Sequence, residues 1–87
     1  MVEKVVTVKN RAGIHARPAG MIVTLANKFE SQIFIEKEND KINAKSIMGL
    51  ITLGVLCNTP IKISANGSDE QQAVDAIALL IDKRFEE

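Results

Sequence analysis

Gly13-Ile14-His15-Ala16-Arg17-Pro18-Ala19-Gly20 contains the only histidine of the chain, two residues before an arginine and three before a proline. Pro18 suits only the first turn of a helix, where its missing N–H costs little. The octet therefore predicts a loop that ends at an imidazole, with a helix beginning near Ala16. The amides of Ala16 and Arg17 would then have no intrahelical partner and would face outward. Anions are stabilised at such an end by these donors and by the helix dipole. Arg17 adds a guanidinium whose fork can take two phosphate oxygens. A nucleophilic ring, free amides and a cation within one short stretch suit covalent storage of a phosphoryl group. His15 would be its acceptor, and Arg17 with the Ala16 and Arg17 amides would hold the phosphate oxygens.

Blander roles compete for a lone histidine, above all a surface or satisfied core position. The junction between loop and helix, outside the apolar periodicity, argues against both. One histidine with no second ligand nearby makes a poor metal site, so none is expected. General-base catalysis needs a substrate pocket, which nothing in so small a chain announces. No cofactor is called for.

The elements that must position this octet are legible in the pattern. Val2 to Lys9 alternates, with Val2, Lys4, Val6 and Val8 on one side, and reads as a strand. From Ala16 to Lys28 the period becomes helical, with Ala19, Ile22, Val23 and Ala26 on one face and Phe29 closing it. Gln32 to Lys37 is a strand, Glu38-Asn39-Asp40 a turn, and Lys41 to Ala44 a short returning strand. Ser46 caps a brief helix, Ile47 to Leu53, which Gly54 ends. A strand follows from Ile61 to Ala65. Ser68 and Gln71 have the spacing of a capping box for a last helix, striped by Val74, Ile77, Ala78 and Ile81 and widened by Ala73, Leu80 and Phe85. The order β-α-β-β-α-β-α gives strands with one apolar face each, which three helices can cover.

Composition narrows the function classes. Eighty-seven residues, 46% of them apolar, make one small domain with one core. Eleven basic and eleven acidic residues cancel, and there is no Trp and no Tyr. Such a surface has neither the charge nor the stacking platform for nucleic acid. Cys57 is the only cysteine, so an internal disulfide is excluded, and a small apolar packing role competes with a reactive thiol. The first strand begins almost at Met1, without the charged and apolar regions of a secretory signal. No apolar run approaches the roughly 20 residues that span a bilayer, so a cytoplasmic protein with no membrane insertion is expected.

The second helix suggests a surface for partners. Ile47, Met48, Leu50, Ile51 and Leu53 crowd less than two turns, yet a short helix on a sheet can bury only one side. If Leu50 and Leu53 face the core, then Ile47, Met48 and Ile51 are left partly exposed, and such clusters mark partner sites. Methionine lets one surface repack against several partners. A fully buried helix is the competing reading.

Gly13-Ile14-His15-Ala16-Arg17-Pro18-Ala19 resembles the active-site signature of the HPr family, the histidine phosphocarriers of the bacterial phosphotransferase sugar-uptake system. Lys45-Ser46-Ile47-Met48-Gly49-Leu50, followed by Thr52-Leu53-Gly54, resembles the family's serine-site segment at the expected distance. Length and element order agree too, so the resemblance spans the chain. It implies an α+β open-faced sandwich, a four-stranded antiparallel sheet covered on one face by three helices. It also implies a carrier rather than an enzyme: His15 is phosphorylated on Nδ1 by enzyme I, itself charged by phosphoenolpyruvate, and passes the group to IIA domains of sugar permeases. Arg17 would steady the phosphoryl oxygens.

For Ser46 the resemblance adds phosphorylation by an ATP-dependent serine kinase/phosphorylase, with a catabolite regulator as a further partner. That role is compatible with capping, since a helix N-terminus tolerates phosphate. The exposed apolar group would dock enzyme I and the IIA domains, extended by Gly20, Met21 and Thr24 on the first helix. Carrier interfaces must release quickly, so small contacts and a monomer are expected. Two places depart from the family pattern. Gly20 replaces a residue that is usually not glycine, and the segment from Val55 to Pro60 lacks the usual turn glycine, although Asn58 tolerates left-handed geometry. HPr-like corepressors that work through Ser46 alone lack the histidine; a carrier serving nitrogen regulation would share the chemistry with other partners.

Overall fold

The structure, a computed structural model, describes residues 1–86. Its elements run β1 (Val2–Thr7), α1 (Ala16–Ala26), β2 (Gln32–Lys37), β3 (Asp40–Asn43), α2 (Ile47–Leu53), β4 (Pro60–Asn66) and α3 (Glu70–Asp82). The strands form one antiparallel sheet in the order β1-β4-β2-β3. Pairing places Val6 opposite Ile61, Ile35 opposite both Ile63 and Ile42, and Ile33 opposite Ala65. Because side chains alternate, this register gathers the apolar residues of the strands on one face. All three helices cover that face. Val6, Ile33, Ile35, Ile61 and Ile63 pack there with Ile22 of α1, Leu50 of α2 and Val74, Ile77 and Ile81 of α3. The opposite face carries polar groups, among them Lys62 between Glu3 and Glu36 at 3.5 Å each.

The strand expected to run to Lys9 ends at Thr7. Asn58 takes φ 67 and turns the chain, so pairing beyond Thr7 shrinks to two bonds, Val8 N–H to Thr59 O (3.0 Å) and Asn58 N–H to Val8 O (2.6 Å). Asn58 therefore takes the left-handed position without a glycine. Lys4 shares the parity of Val6, opposite Ile63, but is exposed at the sheet edge.

The start of α3 needs correction. Ser68 and Gln71 do not form the expected capping box. The Gly67 amide donates instead to Glu70 Oε1 at 3.1 Å, a bond that holds the Glu70 carboxyl below its ordinary range, helped by the Met1 ammonium at 3.2 Å. The residue in the cap position is Asp69, whose carboxylate makes no cap bond. It accepts from the Ser31 hydroxyl, from Glu30 N–H (2.9 Å) and from Ser31 N–H (3.0 Å), and so ties the α1–β2 connection to α3. The carboxylate is oriented toward these donors and not toward the first turn of its own helix.

These donors, the Ser31 hydroxyl first and the Glu30 amide next, hold the Asp69 carboxyl below its ordinary value of 3.8. A carboxyl lowered by folding stabilises the fold above its unfolded-state value and loses that contribution as pH falls through its folded-state value. Denaturant titrations should therefore show stability falling with acid below pH 3.8, and Asp69→Asn should lose that part of the slope. An unchanged slope in the variant would remove Asp69 from the account.

Candidate functional site

His15 is the N-cap residue of α1, in extended geometry (φ −108, ψ −161), and is exposed. Its carbonyl accepts from Ala19 N–H at 2.9 Å, while its side chain makes no cap bond. The ring is thus left out of the capping role that its position offers. The loop before it is stitched down. Ile14, 4% exposed, donates its N–H to Val55 O at 2.9 Å. Asn10 and Gly13 bond twice, Gly13 N–H to Asn10 O (3.0 Å) and Asn10 Nδ2 to Gly13 O (2.6 Å). Gly13 has φ +69, and a Cβ there would overlap the Val55 carbonyl oxygen and lie 2.9 Å from Leu56 Cα. Only glycine allows that approach. A buried residue on one side and Pro18, buried in the first turn of α1, on the other hold the imidazole outward.

Among the described residues no acceptor meets the amides of Ala16 and Arg17. The Arg17 guanidinium lies along α1 and crosses to the end of α3, with Nη1 3.1 Å from Met21 Sδ and 3.3 Å from Phe85 O. In the sequence pattern Phe85 is only an apolar residue that widens the stripe of the last helix. Its ring is buried, but its backbone, at φ 61, turns the carbonyl to Arg17. It acts as a positioning residue for the guanidinium. No local signal could have revealed it, because the pair is 68 residues apart.

Gly20, Met21 and Thr24 line a groove of about 470 Å³ together with Arg17, Lys28 and Leu80. The groove runs between α1 and α3, so these three residues lie on the α3 side of α1. Ile47, Met48 and Ile51 are 45%, 71% and 40% exposed on α2, whereas Leu50 and Leu53 are buried. Helix α1 packs against both α2 and α3, which brings the two apolar surfaces to its flanks. Leu56, 68% exposed on the segment that pairs with Ile14, adds an apolar residue beside the loop that sequence reading passed over. Cys57, half-buried, places Sγ 3.4 Å from Lys9 O.

Ser46 caps α2, its Oγ accepting Gly49 N–H at 3.0 Å, and Gly54 closes the helix at φ 66. Lys37 supports that end from β2, with Nζ 3.3 Å from Leu53 O and 3.0 Å from Gly54 O, where a cation also favours the helix dipole.

Residues 2–83 match the family described as the PTS HPr component phosphorylation site. The chain belongs to the HPr family. The HPr-like protein Crh of Halalkalibacterium halodurans is 49% identical over 95% of this chain and 99% of its own. The phosphocarrier protein HPr of Treponema pallidum is 44% identical over 100% and 99%. The crystal structure of HPr-C-His from Thermoanaerobacter tengcongensis superposes with a TM-score of 0.94 at 50% identity, covering 100% of this chain and 99% of that one. An HPr dimer structure from the same organism superposes at 0.79, with 49% identity and complete coverage of both chains. The family is the phosphocarrier of the phosphotransferase system, a carrier of phosphoryl groups and not a catalyst. Among the described residues no helix is long and apolar enough to cross a membrane.

Within the HPr fold Gly20 is the clearest local weakness. It sits mid-helix in α1, and a Cβ there would have nothing within 4 Å. Gly20→Ala should therefore raise stability by about 0.5–1 kcal/mol, read as a higher midpoint in denaturant. An unchanged or lower midpoint would mean that the added methyl meets something in solution.

Proposed function

We propose that this protein accepts a phosphoryl group on Nδ1 of His15 from phosphorylated enzyme I and hands it to IIA domains of sugar permeases. In each step the N–P bond to the donor breaks as the bond to the acceptor nitrogen forms, so the chain stores the group and consumes none. The observation that carries the reading is His15 itself, exposed at the N-terminus of α1 beside two free amides and with a cap position its ring does not use. Phosphoryl transfer asks mainly for positioning and charge stabilisation. The Ala16 and Arg17 amides supply donors in line with the helix dipole, and the Arg17 guanidinium stands ready at Phe85 O to swing one nitrogen onto a phosphoryl oxygen. Incubation with phosphoenolpyruvate and enzyme I should give an acid-labile mass increment of one phosphoryl group on the wild-type chain. No adduct would sink the reading.

The exposed group Ile47, Met48 and Ile51, with Gly20, Met21 and Thr24 in the α1–α3 groove, is the docking surface of this reading. Met48→Asp puts a charge on the most exposed of them without touching the core. Transfer from enzyme I should slow by about tenfold or more, the cost of one desolvated charge at an interface. Intact folding with an unchanged rate would count against the patch.

Similarity to HPr-like protein Crh favours a second, regulatory role through Ser46. A phosphate on Ser46 Oγ would keep an acceptor at the helix N-terminus while adding charge next to Ile47 and Met48. Fold and switch are thereby compatible, and incubation with ATP and a serine kinase/phosphorylase tests the switch directly. A catabolite regulator would be the partner that reads it. The presence of His15 supports the carrier as the primary role, in the cytoplasm, and the monomer expected for it is set against the HPr dimer known from Thermoanaerobacter tengcongensis. Light scattering across protein concentration decides between the two states.

A further inference from the structure

Asn66 is the only asparagine of the sequence that is followed by glycine. It is the last residue of β4, is exposed, and pairs opposite Gln32 of β2. Asparagine is thermolabile because its amide carbon is an electrophile within reach of the next backbone nitrogen. A side chain on the next residue shields that nitrogen, and glycine has none.

Packing imposes this glycine. A Cβ at position 67 would lie 2.6 Å from Ser31 Cα and 2.9 Å from Ser31 Cβ. Ser31 is held in place by the Asp69 carboxylate, which accepts its N–H at 3.0 Å. The contact that ties the α1–β2 connection to α3 therefore leaves the nitrogen after Asn66 unshielded. Two restraints act against attack by that nitrogen. Strand pairing keeps Asn66 extended, a conformation in which a five-membered ring cannot close. The Gly67 N–H donates to Glu70 Oε1 at 3.1 Å, and the Glu70 N–H donates back to Gly67 O at 3.3 Å.

We propose that Asn66 is a site of spontaneous deamidation and that Glu70 restrains the reaction through the Gly67 amide. When the end of β4 opens, Gly67 N attacks Asn66 Cγ and an N–C bond forms. The side-chain nitrogen leaves as ammonia, taking up the proton that Gly67 N gives up. Water then opens the cyclic imide at either carbonyl, returning a proton to Gly67 N and leaving aspartate or isoaspartate. Both products add a carboxylate to the β4–α3 turn, which already holds Asp69 and Glu70. Isoaspartate also lengthens the backbone by a methylene where Gly67 packs on Ser31. Neither His15 nor Ser46 takes part, so the inference does not rest on the carrier reading.

The test is a prolonged incubation of the full chain at mildly alkaline pH, followed by ammonia release and by peptide mapping in a mass spectrometer. Asn66 should convert before any other asparagine, with isoaspartate detected as a methyl acceptor for a protein isoaspartate methyltransferase. Glu70→Ala should convert about fivefold faster, as for the loss of one hydrogen bond. Glu70→Gln keeps an oxygen that can accept from Gly67 but loses the ion pair with the Met1 ammonium. Its rate should stay near that of the wild type. Circular dichroism at the incubation temperature checks that both variants are folded. Earlier conversion of another asparagine, or no conversion at Asn66 in any of the three proteins, would overturn the site. Equal rates in the wild type and Glu70→Ala, or a Glu70→Gln rate as fast as that of Glu70→Ala, would overturn the restraint.

Discussion

His15→Ser is expected to abolish the acid-labile phosphoryl adduct completely while making the protein more stable. The two effects have separate physical origins. His15 holds the N-cap position of α1 in the extended geometry that a cap requires, but its side chain makes no cap bond. Serine there can accept an amide of the first turn, which contributes about 1 kcal/mol. For a domain of this size that is a rise of roughly 4–8 °C in midpoint. At the same time the nucleophile is gone, and an alcohol in the same field does not form an acid-labile N–P bond. Mass spectrometry after incubation with phosphoenolpyruvate and enzyme I reads the first effect, and calorimetry reads the second. A residual acid-labile adduct would move the phosphorylation site elsewhere. A lower midpoint would show that the imidazole contributes to the fold in a way the cap geometry does not reveal. The combination of lost transfer and gained stability is the signature of a position held for chemistry against the preference of the helix.

Gly13→Ala should lower stability sharply, although it adds only one methyl. At φ +69 an L-residue loses about 1–2 kcal/mol. The new Cβ would also press on the Val55 carbonyl that accepts the Ile14 amide, so the loop or the segment before β4 must move. A total near 3 kcal/mol is expected, a large part of the 5–15 kcal/mol that holds a typical domain together. The midpoint should fall on the order of 15 °C. Transfer to His15 should slow as well, because the same contacts place the ring. An unchanged midpoint would mean that loop and segment are not packed as closely as the geometry requires.

Much of this was legible in the sequence because its causes are local. Ser46 and Gly54 bracket α2 through bonds that span three residues, and the cap at Ser46 and the left-handed stop at Gly54 fall where the residue types place them. The apolar crowding of α2 resolves as expected into buried Leu50 and Leu53 and exposed Ile47, Met48 and Ile51. Local reasoning failed at α3, where Ser68 and Gln71 have the right spacing for a box they do not form. Asp69 takes the cap position and Glu70 reaches back to Gly67, while the Asp69 carboxylate is drawn off by Ser31, 38 residues away.

His15 at a loop–helix junction, Pro18 in the first turn, two amides without acceptors and an arginine beside them follow from sequence alone, since each depends on residues within one turn. The tertiary structure alone decided where Arg17 rests, on a carbonyl of Phe85 turned out by a left-handed backbone, and which side of α1 carries Gly20, Met21 and Thr24. Short-range hydrogen bonds and helix ends are written into neighbouring residue types. A contact between residues 17 and 85 exists only once the sheet has brought the two helices side by side.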